Sequence, residues 1–75
     1  PPARRKRQFP YRKVEDIEAD IAASEARLQE LEQQMASPNL YRAGDKVKQI
    51  TKEFEEVQTR IGQLYEHWAE AMELN

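Results

Sequence analysis

Six cations crowd the first thirteen residues of the chain: Arg4, Arg5, Lys6, Arg7, Arg12 and Lys13, with no carboxylate among them. Guanidinium and ammonium groups gathered in this way pair with phosphates, and displace the counterions that phosphates condense. Contacts of that kind hold a nucleic-acid backbone without reading its sequence. If all six met phosphates of duplex DNA, the log–log salt dependence of binding would have a slope of about −5. The competing reading is a solvated linker whose charge only keeps the chain soluble.

Other chemistry has little to stand on. Gly44 and Gly62 are the only glycines, so no glycine-rich loop can cradle a nucleotide phosphate. His67 is the sole histidine; Glu70 follows it by three residues, whereas Glu66 points off another face, which makes a poor metal site. The expectation is a solvated or snorkelling His67, no metal and no cofactor. The remaining carboxylates fall on exposed helical faces with nothing to raise a pKa, so acid–base catalysis is not expected and the chain reads as non-enzymatic. Trp68 and Tyr65 could stack on a base near the basic arm. The plainer reading packs Trp68 against the start of the first helix, near Tyr11 or Val14.

These groups must be positioned by two heptad repeats. The first is Val14, Ile17, Ile21, Ser24, Leu28, Leu31, Met35; the second is Val47, Ile50, Phe54, Val57, Ile61, Leu64, Trp68, Ala71. Alternating steps of three and four mark helices that wind on a partner. The connection is short enough only for an antiparallel return. The fold class is therefore all-α: an antiparallel two-helix coiled-coil hairpin with a flexible basic N-terminal tail. Residues 1–9 read as the end of a basic linker and residues 10–75 as the hairpin. Its first helix is expected at about 11–36, the turn at 37–44 and the second helix at about 45–73.

Pro10 suits a first helical turn, where its missing N–H costs nothing. Pro38 stops the first helix at Ser37, and Ser37 then opens a short turn. Leu40 and Tyr41 are expected to fold over the end of the seam as an apolar plug, with Asp45 capping the second helix. Ser24, the polar break in the first repeat, should face a bulky neighbour from Phe54, Val57 or Ile61. Lys52–Glu56 and Glu56–Arg60 are complementary at i,i+4, worth a few tenths of a kcal/mol each. Arg27, Lys46, Lys48, Lys52 and Arg60 are secondary phosphate candidates, because the faces that bear them are also acidic.

The chain has 75 residues, 35% of them charged, and a mean hydropathy of −0.99, which allows one small domain of modest stability. There is no cysteine, which fits an intracellular setting, and no apolar run approaches the ~20 residues that span a bilayer. The Pro-Pro start suggests a piece of a longer protein. The net charge of −2 conceals a split: +6 over residues 1–13 and −8 over residues 14–75.

The turn Ala36-Ser37-Pro38-Asn39-Leu40-Tyr41 and the closing Leu64-Tyr65-Glu66-His67-Trp68, set between heptad helices behind a basic Pro-containing linker, resemble the C-terminal domain of ABC-F ATPases, nearest to the Uup-like proteins. The resemblance covers about residues 10–75. It implies a cytoplasmic bacterial protein with two ATP-binding cassettes upstream, no transmembrane part and this domain as an antiparallel hairpin. It further implies nucleic-acid binding, to DNA in Uup-like members, in a family that works on ribosomes. Carried over, the arm and the open end of the hairpin would contact phosphates of DNA or RNA. His67 stands where the family often has Arg, and Phe9-Pro10-Tyr11-Arg12 departs from its Leu-Ser-Tyr-Lys form. The expected partners are thus a nucleic acid and the protein's own cassettes, with no membrane and a monomeric hairpin. The alternative is a spacer or protein-docking rod with no nucleic-acid role, its arm a mere tether.

Overall fold

The computed structural model describes residues 6–75, so Arg4 and Arg5 lie outside the described residues. Helix α1 spans Val14–Met35 and helix α2 spans Gly44–Leu74, joined by a 3₁₀ turn at Pro38–Arg42. The two helices pack side by side in a rod of 62 × 18 × 14 Å, an all-α hairpin. At 1.5 Å per residue, α2 runs for about 46 Å, the greater part of the length of the rod.

The seam buries both heptad stripes, but in two blocks. Toward the turn, Leu31, Leu40, Ile50 and Val57 are buried together, with Leu28, Met35, Val47, Phe54 and Ile61 packed against them. Toward the open end, Ile17, Ile21 and Ala71 are buried, flanked by Val14, Leu64 and Trp68. Ser24 lies between the blocks. It is buried, and shares a cleft of about 310 Å³ with Val57, one of the bulky neighbours expected for it. A hydroxymethyl group at a seam position is too short to reach across the helix–helix spacing, so the core is interrupted where the heptad is.

The turn departs from expectation in two places. Leu40 plugs the core as anticipated, while Tyr41 is 64% exposed and donates its hydroxyl to the Met35 carbonyl at 2.8 Å. That bond occupies one of the carbonyls left open at the end of α1. Pro38 takes the first position of the turn after Ser37, as read from the sequence, although the Ser37 side chain makes no cap bond. Helix α2 starts at Gly44 with Ala43 as its cap residue, so Asp45 sits inside the first turn rather than at the cap. Its charge still favours the positive end of the helix dipole.

Helix α1 begins at Val14, later than Pro10 or Tyr11. Lys13 is extended (φ −63°, ψ 139°), and its carbonyl accepts from the Asp16 and Ile17 amides at 3.1 and 3.2 Å. The residues before it are engaged elsewhere.

Candidate functional site

Residues 7–13 do not form a free tail. They lie as a strap along the last turns of α2, held by backbone-directed bonds from three side chains. The Gln8 amide donates to Glu70 Oε2 at 2.7 Å and the Phe9 amide donates to Glu70 Oε1 at 3.0 Å. His67 Nε2 donates to the Pro10 carbonyl at 2.8 Å, and the imidazole stacks on the Phe9 ring with centroids 4.7 Å apart. Asn75 Nδ2 donates to the Arg12 carbonyl at 2.9 Å. Because a carbonyl can only accept, His67 must carry its proton on Nε2 here.

Three expectations are corrected by this geometry. His67 is 8% exposed and part of the packing, not a solvated side chain. Glu70 is 1% exposed, so the carboxylates are not all on open faces. Pro10 does not start a helix: it offers a carbonyl to His67 from an extended segment, a conformation its fixed φ also suits. The physical cause is common to all three. Consecutive amides of an extended segment need acceptors once they lie against protein, and one buried carboxylate supplies two of them through strong charge-assisted bonds.

The strap decides what becomes of the basic arm. Arg7 donates to Asn75 Oδ1 at 3.0 Å and to the Leu74 carbonyl at 3.2 Å, and its guanidinium lies 5.5 Å over the Tyr11 ring. At the end of α2 it thus meets the negative pole of the helix. Arg12 pairs with Asp20 at 2.8 Å. Lys6 and Lys13 are exposed, with no ion pair among the described residues. The four described arm cations therefore come together at one end of the rod, two engaged internally and two open.

Tyr11, expected at the start of the first helix, is 64% exposed beside Arg7. Only its place between Arg7 and Arg12 marked it in the sequence. Trp68 packs, as Val14 does, against the Ile17, Ile21 and Ala71 block and donates Nε1–H to Glu18 at 3.1 Å, the core role rather than the stacking one. Tyr65 donates to Glu25 at 3.3 Å, and the neighbouring Glu25 charge, with some desolvation, raises its phenol above the ordinary value.

Along the middle of the rod, Arg27 grips Glu53 with two bonds of 2.6 and 2.7 Å and reaches Glu30 at 3.0 Å. This pair borders the cleft at Ser24 and ties the helices together where the apolar seam is broken. Arg27 is thereby engaged, while Lys52–Glu56 and Glu56–Arg60 form no pair among the described residues. The hydrogen bonds from Arg27 hold Glu53 below its ordinary 4.5. A carboxyl with a lowered folded pKa adds stability above its unfolded value, and loses it as pH falls through the folded value. Urea midpoints of the native chain should accordingly drop as pH falls below the ordinary 4.5, and Arg27→Gln should show a shallower drop there.

Among the described residues, no group of three His, Asp or Glu side chains converges as metal ligands, and no helix is long and apolar enough to cross a membrane. In comparison with known proteins, the family profile described as ABC transporter C-terminal domain matches residues 6–73. No curated protein and no solved structure matches the chain.

Proposed function

We infer that this chain, which belongs to the ABC transporter C-terminal domain family, serves its ABC protein as a non-catalytic accessory domain that holds nucleic-acid phosphates through its basic arm. The observation that carries this reading is the crowding of six cations without an acid into residues 1–13, of which residues 7–13 lie fixed at one end of an otherwise acidic rod. A docked arm loses less entropy on binding than a free one, so its charges are partly preorganised. Lys6 and Lys13 stand open at the end of the rod that also bears the exposed ring of Tyr11, an arrangement suited to a backbone phosphate with a base stacked alongside. The ligand is DNA or RNA, ribosomal RNA included, and the cytoplasm is the compartment where both occur. The upstream partners are the cassettes of the same protein, which the hairpin serves as a monomer.

Neutralising the arm is the test. The variant Arg4→Gln/Arg5→Gln/Lys6→Gln/Arg7→Gln should bind DNA and RNA duplexes alike more weakly than the native chain. Its log–log salt slope on duplex DNA should be shallower by about 3 to 4, at roughly 0.9 for each phosphate no longer neutralised. An isotherm unchanged at low salt would dispose of the arm as a phosphate ligand.

A second reading is favoured by the strap itself. Tying residues 7–13 to α2 fixes this segment against the hairpin, as a rigid spacer or docking rod would require. That reading expects no nucleic-acid affinity from the arm.

A further inference from the structure

The charge of the rod has three zones, not two. Residues 36–52, which form the turn and the start of α2, carry Arg42, Lys46, Lys48 and Lys52 against Asp45 alone, a local charge of +3. The flanks between the ends, residues 14–35 and 53–75, carry Arg27 and Arg60 against thirteen acids, a charge of −11. A cation-rich tip therefore closes the far end of the 62 Å rod, opposite the arm and separated from it by an acidic waist.

At the tip the cations are open in a way that the arm's are not. The side chains of Arg42, Lys46, Lys48 and Lys52 are all exposed and make no hydrogen bond or ion pair among the described residues, whereas those of Arg7 and Arg12 hold protein oxygens. Lys48 and Lys52 are like charges at i,i+4, a spacing that works against the helix that bears them. Tyr41 is exposed next to Arg42, as Tyr11 is beside Arg7 at the other end. Beside Lys46 lies a depression of about 410 Å³ lined by the polar side chains Gln34, Ser37 and Asn39 together with Leu40.

We propose that the hairpin tip is a second phosphate-contact surface, which meets a nucleic-acid backbone end-on through Arg42, Lys46, Lys48 and Lys52 with Tyr41 as its stacking ring. End-on contact follows from the waist: a phosphate backbone laid lengthwise along the rod would face its exposed acids, and contact at the tip avoids them. The surface presents cations with no directional readout of base edges, so its ligand is the phosphodiester backbone of DNA or RNA, bound without sequence preference. The proposal deepens the reading of the arm and rests on it for the ligand class, but not for the site.

The test uses the 75-residue chain, a 20-base-pair DNA duplex and an RNA duplex of the same sequence, titrated by anisotropy across several salt concentrations. The tip variant Arg42→Gln/Lys46→Gln/Lys48→Gln/Lys52→Gln should bind at least tenfold more weakly at low salt, and on DNA its slope should be shallower by about 3. Its urea midpoint should equal or exceed the native one, since repulsion between Lys48 and Lys52 has been removed. Should the quadruple variant fail to fold, Lys48→Gln/Lys52→Gln alone should flatten the slope by about half as much. Native affinity in the tip variant, with loss only in the arm variant, would overturn the tip and leave the arm standing. Loss in the tip variant with an unaffected arm variant would uphold the tip and remove the arm. Comparable losses on DNA and RNA support the backbone as ligand, and loss on one alone assigns the source. Tighter binding to vesicles of anionic phospholipid than to either duplex would overturn the choice of ligand.

Discussion

Leu31→Ala is expected to destabilise the hairpin by about 2–5 kcal/mol, the range for removing a fully enclosed Leu side chain. Leu31 is 0% exposed and belongs to the same buried block as Leu40, Ile50 and Val57. A two-helix rod has no second layer to donate atoms to the gap, and the cleft at Ser24 already interrupts the packing on one side. Domains of this size hold only a few kcal/mol in reserve, so a loss in that range unfolds a large share of the population. Urea unfolding followed by far-ultraviolet circular dichroism measures it. Leu28→Ala, at a half-buried position, is the control and should cost clearly less. A loss below about 1 kcal/mol at Leu31 would mean that the seam does not govern stability.

The second large effect is at Glu70. Glu70→Ala removes the acceptor of two backbone amides, and hydrogen bonds to a charged group are worth about 1.5–3 kcal/mol each. Water can take over both amides once the strap lifts, so a net loss of about 2–3 kcal/mol is the expected outcome. The distinctive readout is local. Hydrogen exchange at the Gln8 and Phe9 amides should become fast while exchange in the middle of α1 keeps its rank order, because the bonds removed belong to the strap. Slow exchange persisting at Gln8 and Phe9 would show that Glu70 does not hold them.

What the sequence made legible follows from how local each signal is. The hairpin, the stop at Pro38, the Leu40 plug and the core place of Trp68 were readable because heptad spacing and proline geometry act over a few residues. The strap was not. Its bonds join Gln8 to Glu70 and Pro10 to His67 across some sixty residues, and neither partner carries a local mark. A histidine and a glutamate three apart on a charged helix look like surface residues until an extended segment covers them. Pro10 misled in the same way, since its fixed φ serves a first helical turn and an extended strap equally well. Tyr11 was expected in the first helix, yet it lies in the strap, exposed under the Arg7 guanidinium. In the candidate interface, the arm was visible as composition, whereas the division of its cations into engaged and open ones depended on Asn75 and Asp20. Lys46, Lys48 and Lys52 were visible too, but an average over residues 14–75 dissolved them into the acid around them.

The central functional claim is that this rod meets nucleic acid at its ends and keeps its waist clear. Amide chemical-shift mapping of the 75-residue chain, titrated with duplex DNA at low salt, tests it directly. The expected result is progressive shifts over residues 6–13 and 41–52 that fade as salt is added, with Glu25, Glu32, Glu56 and Arg60 unmoved. Shifts centred on the waist, or a spectrum that does not change at saturating duplex, would contradict it.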